Sequence, residues 1–386
     1  MSVVLPQGFR AAGVAAGIKS TGALDLALVV NDGPAHHAAG VFTRNKVRAA
    51  PVLWSQQVLT TGRLRAVVLN SGGANACTGP EGFRTAHATA EQAAEALGCG
   101  AVEVAVCSTG LIGAQLPREA VLAGVGEAVS ALAADEASGL AAATAVMTTD
   151  TVAKQAARTA PGGWSVGGFA KGAGMIAPSM ATMLAVVTTD AVVDAPVLDA
   201  ALRAAVRVSF DRLDVDGSTS TNDTVLLLAS GATGAVADRD EFTAVLTEVC
   251  CDLARQMQAD AEGVTKRIVV RVTGAVTEDE AVVVARTVAR DSLVKTALFG
   301  SDPNWGRIAA AVGYADAAVD PDRLDVAVNG VLLCRGGVVA GDRADADLSG
   351  PDVVVDVALG LGDGAAEILT TDLSHGYVEE NSAYST

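Results

Sequence analysis

The sequence predicts an α/β protein in which mixed sheets are covered by helices. Three observations favour this class: apolar runs of strand length that end in turn-rich loops, helical stretches that follow those loops, and further strand-length runs late in the chain. Half of the 386 residues are hydrophobic, which is enough to bury one large core or two ordinary ones. We therefore expect a folded globular protein.

The first half of the chain alternates strand and helix. Residues 64–69 and 102–107 are apolar runs that predict strands, and each leads into a loop of small residues. A helix is predicted between them from about Glu81 to Leu97, where Gly98 ends it. The Ala-rich stretch 121–146 is interrupted by acidic residues, so it predicts soluble helix rather than a membrane span.

The second half repeats this alternation. The spacing of Thr277-Glu-Asp-Glu280 predicts a capping box at the start of an Ala/Val-rich helix. Other helices are predicted at about 196–208 and 241–260. Strands are predicted to begin at Ala185 and to include 268–272, 326–328 and 353–359.

Charge and composition exclude several kinds of partner and site. The chain has 44 acidic and 27 basic side chains, a formal charge of −17, and no Lys/Arg-rich block, so we expect neither nucleic acid nor a membrane surface as partner. The first residues carry no secretory signal, so the cytoplasm is expected. Six scattered cysteines and only four histidines predict no metal site and no disulfide framework.

The most unusual stretch places glycines and a proline just before an apolar strand, in Lys171-Gly-Ala-Gly-Met-Ile-Ala-Pro-Ser-Met-Ala-Thr-Met-Leu184. If the hydroxyl of Thr182 attacks the carbonyl of Ala181, the peptide becomes an ester that water can hydrolyse. The new chain then begins with Thr182, whose α-amine has an ordinary pKa of roughly 7.7–8.0 and can act as the base. No histidine is required.

Acyl transfer also needs donors aimed at the developing oxyanion. The turn Ser108-Thr-Gly110 follows a predicted strand and offers a hydroxyl and a backbone N–H, so Thr109 and Gly110 are the candidates. From these residues alone, Thr182 as an ordinary strand start and Ser108-Thr-Gly110 as an ordinary turn both stay open.

Taken together, the motifs resemble the ornithine acetyltransferase (glutamate N-acetyltransferase) family of arginine biosynthesis. Besides the stretch 171–184, the resemblance rests on motifs spread over nearly the whole chain: Gly40-Val-Phe-Thr-Arg44, Asn70-Ser-Gly-Gly-Ala-Asn75, Ser108-Thr-Gly110, Met147-Thr-Thr-Asp-Thr151, Asp302-Pro-Asn-Trp-Gly-Arg307 and Glu380-Asn-Ser-Ala-Tyr-Ser-Thr386. It implies the αββα arrangement of N-terminal-nucleophile enzymes.

The resemblance also implies roles for particular residues. Thr182 would be the nucleophile of self-cleavage and of catalysis, and Thr109 and Gly110 the oxyanion hole. The products would be an alpha chain, 1–181, and a beta chain, 182–386, which stay associated with two of each in the assembly. The implied substrate contacts are Thr148, Lys171, Thr182, Glu262, Asn381 and Thr386.

The implied reaction is a ping-pong acetyl transfer from N-acetylornithine to glutamate through acetyl-Thr182. Lys171 suits the carboxylate that both substrates carry. No cofactor is implied, although some family members accept acetyl-CoA as a second acetyl donor. Glu262 could hold an ammonium, or be a surface residue at a helix end. The motif 302–307 has no assigned step in this reaction, and a structural turn with Trp305 packed inward is an equally good interpretation.

Two rival functions stay open. A self-processed N-terminal-nucleophile aminopeptidase or amidohydrolase would use the same nucleophile but pass the acyl group to water. A non-catalytic interaction protein would keep its chain intact. Acetyl transfer to glutamate and a cut chain distinguish the acetyltransferase from both.

Overall fold

The structure is a computed structural model and describes residues 2–176 and 183–383. The described chain forms two compact units. The first contains the residues up to Asp211 and then Ser218–Met257, and the second contains Arg212–Gly217 and the chain from Gln258 onward. This division does not coincide with the predicted cut, which falls within the sequence span of the first unit.

The first unit contains two sheets. The four-stranded sheet has the order β1-β2-β4-β5 and the five-stranded sheet the order β3-β9-β8-β7-β6. The pairs β4–β5 and β8–β9 are parallel and the others antiparallel, so both sheets are mixed. The strands are β1 Phe9–Val14, β2 Leu26–Asn31, β3 His37–Phe42, β4 Ala66–Asn70, β5 Val104–Ser108, β6 Lys154–Thr159, β7 Ser165–Lys171, β8 Leu184–Thr189 and β9 Thr224–Ala229.

Helices cover both sheets of the first unit. They are α1 Ala50–Val58, α2 Gly79–Leu97, α3 Arg118–Ser130, α4 Glu136–Ala145, α5 Ala195–Val208 and α6 Arg239–Ala259. Helices α2 and α3 pack on the four-stranded sheet, α5 packs on β3, and α6 bonds β6 through Arg158 and Asp252. One hydrophobic core contains buried residues of both sheets, such as Val68 and Val186. The predicted helix–sheet–sheet–helix layering is therefore present.

The second unit is built on one sheet, with the order β13-β12-β11-β14-β10-β15 among the described residues. Helix α7 packs on β10 and β15 over a core of Val, Ala and Ile side chains. The elements are β10 Arg267–Ala275, β11 Asp325–Val328, β12 Val331–Arg335, β13 Val338–Val339, β14 Asp352–Ala358, β15 Gly364–Thr371, α7 Glu278–Arg290, α8 Ser292–Phe299, α9 Trp305–Gly313 and α10 His375–Ala383.

The local signals in the sequence have the expected outcomes. Gly98 ends α2 with φ 67°, in the left-handed region where glycine carries no steric cost. The side chain of Thr277 accepts a hydrogen bond from Glu280 N at 3.2 Å at the start of α7. The stretch 121–146 is helical as two helices, α3 and α4, and none of the helices in the described parts has the length and hydropathy of a membrane span.

The motif 302–307 caps a helix. Asn304 precedes α9 and its side chain accepts a hydrogen bond from Arg307 N at 3.2 Å. Trp305 is half-buried and packs against the core of the second unit. These contacts agree with the structural interpretation of the motif.

Candidate active site

Strand register brings the segment after the predicted cut beside Lys171 and Asp223. The antiparallel pairing of β7 and β8 places Lys171 opposite Leu184, and the parallel pairing of β8 and β9 places Leu184 beside Thr224. Met183 N accordingly donates a hydrogen bond to Asp223 Oδ1 at 3.1 Å. Ala181 and Thr182 themselves lie outside the described residues.

The predicted oxyanion turn is held by the loop that follows β4. Thr109 N donates to Asn70 O at 3.0 Å, and Thr109 O accepts from Gly73 N at 3.0 Å. Gly110 has φ 125°, and a Cβ atom there would lie 2.6 Å from Gly73 N, so only glycine fits this close approach. Within the described residues the Gly110 N–H has no hydrogen-bond acceptor, which leaves it available as a donor.

The side chain of Asn222 connects the oxyanion turn to the start of β9. Its Nδ2 donates to Ser108 O at 2.8 Å and to Ala74 O at 2.6 Å. Asn222 is buried and directly precedes Asp223, which holds Met183. One dipeptide thus fixes both the candidate oxyanion turn and the residue that follows the candidate nucleophile.

Lys171 brings three of the predicted site residues together. Its Nζ donates to Thr148 Oγ1 at 2.8 Å and to Thr109 Oγ1 at 3.3 Å. The ammonium uses a lone pair of the Thr109 hydroxyl and leaves the hydroxyl proton free to be donated. Its side chain is only 1% exposed, so the positive charge acts in a desolvated place, where electrostatic interactions are strong.

The charge of Lys171 is balanced by the buried carboxylate of Asp150. Asp150 Oδ2 lies 3.8 Å from Lys171 Nζ, and Oδ1 accepts from Lys154 Nζ at 2.6 Å and from Gly172 N at 2.7 Å. Burial on its own would raise the pKa of Asp150, but Lys171 and Lys154 outweigh it and lower that pKa to about 2. Asp150 is therefore ionised at neutral pH and fixes the position of both lysines.

The pKa of Asp223 is shifted in the opposite direction from that of Asp150. Its side chain is fully buried, and its Oδ2 has no hydrogen-bond partner among the described residues. Burial raises the pKa of Asp223 well above its ordinary value, against the opposing effects of the Met183 N–H, the nearby Thr43 and Ser220 side chains and the charge on Lys171. Two buried carboxyl groups near Lys171 thus have pKa values shifted in opposite directions.

Two further predicted residues pair within the second unit. Asn381 Nδ2, on α10, donates to Glu262 Oε2 at 2.8 Å. Glu262 is buried, at 4% exposure, so it is not the surface residue that its position before a glycine suggested. Gly263 has φ 60°, and a Cβ atom there would overlap Tyr377 N, so glycine is what allows α10 to pack beside Glu262. Thr386 lies outside the described residues.

Several residues around these sites were missed by the sequence analysis, namely Asp150 as an ion-pair partner, Lys154, Asn222 and Asp223. A signal existed for the last two, because an Asn-Asp dipeptide directly before the apolar strand β9 is a place where polar side chains become buried. Among the described residues no cluster of His, Cys, Asp or Glu has the arrangement of a metal site. All six cysteines are free thiols.

Comparisons with known proteins give the family. The model of the ArgJ family matches residues 10–386. The arginine biosynthesis bifunctional protein ArgJ of Mycolicibacterium paratuberculosis is 64% identical over 389 residues, covering 100% of this chain and 96% of that protein. Among solved structures, an ornithine acetyltransferase complexed with ornithine from Mycobacterium tuberculosis is 65% identical, covering 47% of this chain and 96% of that chain with a TM-score of 0.46. The bifunctional protein argJ from Bacillus halodurans is 37% identical, covering 51% of this chain and 97% of that chain with a TM-score of 0.49.

Proposed function

The chain belongs to the ArgJ family and is an acetyltransferase of arginine biosynthesis; we propose that it cuts itself between Ala181 and Thr182 and then transfers acetyl groups on Thr182. In this proposal the acetyl group passes from N-acetylornithine to glutamate. The observation that carries it is the position of Lys171, which bonds both Thr148 and Thr109 and lies opposite Leu184, two residues beyond Thr182.

The first half-reaction begins when Thr182 Oγ attacks the acetyl carbonyl of N-acetylornithine. The α-amine of Thr182 takes the hydroxyl proton, and negative charge develops on the carbonyl oxygen. The Thr109 hydroxyl and the Gly110 N–H are free to donate to that oxygen, and the nearby Lys171 ammonium strengthens the hydroxyl as a donor. The bond from the acetyl carbon to the ornithine nitrogen then breaks, the Thr182 ammonium gives its proton to that nitrogen, and ornithine leaves while the enzyme carries an acetyl ester.

The second half-reaction repeats these steps with glutamate. The glutamate amine attacks the acetyl ester, the oxyanion forms again at the same donors, and Thr182 leaves as a free hydroxyl. The buried positive charge of Lys171 favours the carboxylate that both amino acids carry. Buried Glu262 and its exposed partner Asn381 would serve the ammonium group of the substrate, since a carboxylate and an amide oxygen both accept hydrogen bonds.

Strand pairing supports continued association after the cut. The bond between residues 181 and 182 lies in the connection between β7 and β8, which are paired over six residues, and β8 is also paired with β9 over six. Cutting that connection removes none of these hydrogen bonds. We propose two alpha and two beta chains in the assembly, action in the cytoplasm, no cofactor, and acetyl-CoA as a second acetyl donor.

Intact-mass measurement of the purified protein, with and without N-acetylornithine, tests the proposal. The expected result is two fragments separated at residue 181/182, with one acetyl group added to the C-terminal fragment when glutamate is absent. Addition of glutamate should remove that group and yield N-acetylglutamate. A single uncut polypeptide contradicts self-cleavage, and acetate as the only product indicates an amidohydrolase instead.

Thr182→Ala and Thr182→Ser are the matched variants. The alanine variant has no nucleophile and should be neither cut nor acetylated, whereas the serine variant keeps a hydroxyl and should retain both reactions at a reduced rate. Cutting of the alanine variant at the same bond would show that another group or a protease performs it.

A further inference from the structure

The second unit has a cleft that the proposed acetyl transfer does not use. The cleft lies between the segment 212–217, the junction of α7 and α8, and the chain that leads from β15 into α10. Its polar and charged lining residues are Asp216, Arg290, Ser292, Lys295, Asp372 and Tyr377. The volume is about 440 Å³ including the open mouth, which is within the range of small-molecule sites.

Arg290 provides hydrogen-bond donors at the mouth of the cleft. It is the last residue of α7, and its Nε donates to Asp214 Oδ2 at 2.7 Å. The Asp214 side chain is completely buried and that of Arg290 is 44% exposed, so the ion pair anchors the guanidinium and leaves part of it in solvent. Neither Nη1 nor Nη2 donates to any described residue. A guanidinium held in this way suits bidentate binding of a carboxylate.

Lys295 supplies charge to the buried end of the cleft but no free donor. Its Nζ donates to Val215 O at 2.9 Å, to Thr370 Oγ1 at 3.1 Å and to Thr371 O, so its protons are already used. Burial lowers the pKa of Lys295 to about 8, against the effect of the neighbouring carboxylates. Lys295 is therefore mostly charged at neutral pH.

Acidic side chains outnumber basic ones around the cleft. The charged side chains that line it, or that act on its lining residues, are the acidic Asp214, Asp216, Glu262 and Asp372 and the basic Arg286, Arg290 and Lys295. Four carboxylates face three cations, so one negative charge is in excess. A bound molecule with one surplus positive charge would balance it.

Asp216 is the carboxylate best suited to a bound cation. Asp372 already accepts three hydrogen bonds, from Thr265 and Lys266. Asp216 is hydrogen-bonded to the Tyr377 hydroxyl, and burial together with the charges of Asp216 and Glu262 raises the pKa of Tyr377 to about 12. The phenol thus stays protonated as a donor, and a carboxylate with about four lone-pair sites can accept from a ligand as well.

We propose that this cleft binds a free diamino acid, with the ligand carboxylate on Arg290 and Ser292 and an ammonium on Asp216. The Ser292 hydroxyl is exposed and bonds no described residue, so it can donate to the same carboxylate. Val215 and Leu373 complete the lining and suit a methylene chain. The surplus negative charge favours a second ammonium over a neutral or acidic side chain. The inference does not rest on the proposed cut or on Thr182.

Isothermal titration of the purified full-length protein with ornithine tests the site. Two analogues each lack one of the required groups, since norvaline has no side-chain ammonium and putrescine has no carboxylate. Ornithine should bind at least about 10-fold more tightly than either analogue and than glutamate, because each missing group removes a charge-assisted hydrogen bond. Absence of ornithine binding, or equally tight binding of an analogue, overturns the proposal.

Arg290→Gln and Arg271→Gln are the matched variants. Both arginines lie in the second unit with side chains 44% exposed and Nε bonded to a carboxylate, but Arg271 pairs with Glu367 away from the cleft lining. Arg290→Gln should weaken ornithine binding by at least about 10-fold, and Arg271→Gln should leave it unchanged. Equal affinities of the two variants overturn the assignment.

Ser292→Ala decides the question if Arg290→Gln unfolds through loss of the partner of buried Asp214. The Ser292 hydroxyl is bonded to no described residue, so its removal leaves the fold intact. Ornithine binding should weaken by about 5-fold, as expected for one lost hydrogen bond. An unchanged affinity overturns the proposed carboxylate position.

Lys171→Met separates the cleft from the proposed transfer site, because ornithine is also the product of the proposed transfer. This variant lacks the ammonium proposed to hold the substrate carboxylate in the first unit, and ornithine binding to the cleft should persist in the folded variant. Loss of ornithine binding in Lys171→Met, with full binding in Arg290→Gln, restricts ornithine to the transfer site and overturns the cleft. Failure of the proposed function appears instead as an uncut chain or a missing acetyl adduct, neither of which affects the titration.

Discussion

Gly110→Ala tests whether the candidate oxyanion turn and the neighbouring loop form one fixed unit. The new Cβ atom would lie 2.6 Å from Gly73 N and 2.8 Å from Gly72 C, both backbone atoms that cannot rotate away. Reaching the ordinary contact distance of 3.4 Å requires a shift of about 0.8 Å, the difference between 3.4 and 2.6 Å. The φ of 125° adds strain of about 1–3 kcal/mol for any residue other than glycine.

A displacement of this size is large on the scale of catalysis. A reacting group misplaced by about 1 Å loses about 10²-fold in rate, and loss of one oxyanion donor costs about 10²–10³-fold. We therefore expect Gly110→Ala to lower kcat/KM for acetyl transfer from N-acetylornithine to glutamate by about 10²–10³-fold and to slow self-cleavage. Initial rates and intact mass measure the two effects.

Gly113→Ala is the matched control, in the loop that follows the turn Ser108-Thr-Gly110. Gly113 also has a positive φ, 89°, but a Cβ atom there has nothing within 4 Å. It should lower the midpoint of thermal unfolding through strain alone and leave acetyl transfer close to the wild-type rate. If Gly110→Ala transfers acetyl groups as fast as Gly113→Ala, the turn is not positioned by its contact with Gly72 and Gly73.

Three further predictions concern the buried charges. Lys154→Met and Lys171→Met should both lower the thermal midpoint, because each removes a partner of buried Asp150. Only Lys171→Met should lose transfer activity, by about 10²-fold or more, since Lys171 bonds Thr148 and Thr109. Equal activities of the two variants would contradict this. The lowered pKa of Asp150 contributes stability that is present above its ordinary pKa of 3.8 and is lost as the pH falls toward 2. The free energy of unfolding in urea should therefore fall over that range by about 2 kcal/mol more for wild type than for Asp150→Asn. Parallel pH curves for the two proteins would refute the assignment. In a double-mutant cycle on the KM for N-acetylornithine, Glu262→Gln and Asn381→Ala should show a coupling free energy of about 0.5–3 kcal/mol, because the two side chains are hydrogen-bonded. Additive effects would show that the two residues act independently on substrate binding.

Local sequence signals predicted most of the elements because they act over a few residues. Helices were predicted at the positions of α5 and α6, Gly98 predicted the end of α2, and Thr277 predicted the start of α7. The bounds differ by one to three residues, since strand and helix ends depend on pairing partners elsewhere in the chain. The layering followed from the resemblance to a known family.

The candidate site was predictable only where motifs carried it. Thr109, Thr148 and Lys171 were predicted individually, and the structure brings both threonines within hydrogen-bond distance of Lys171. Asp223 and Asn222 were not predicted, because their roles arise from the parallel register of β8 and β9, which joins positions 40 residues apart. The Asn-Asp dipeptide before β9 is a local signal for buried polar side chains, but it does not identify the distant residues that they bond.

The pairing of β7 with β8 has a consequence for refolding after the proposed cut. These strands are neighbours inside the five-stranded sheet, and the predicted cut removes the covalent link between them after the sheet has formed. Before the cut, pairing of the two strands is an intramolecular step. Afterwards the same pairing would require two separate polypeptides to meet, so recovery from denaturation should depend on protein concentration and compete with aggregation. If the chain is cut as proposed, a molecule that unfolds afterwards regains its fold only when its two polypeptides meet again.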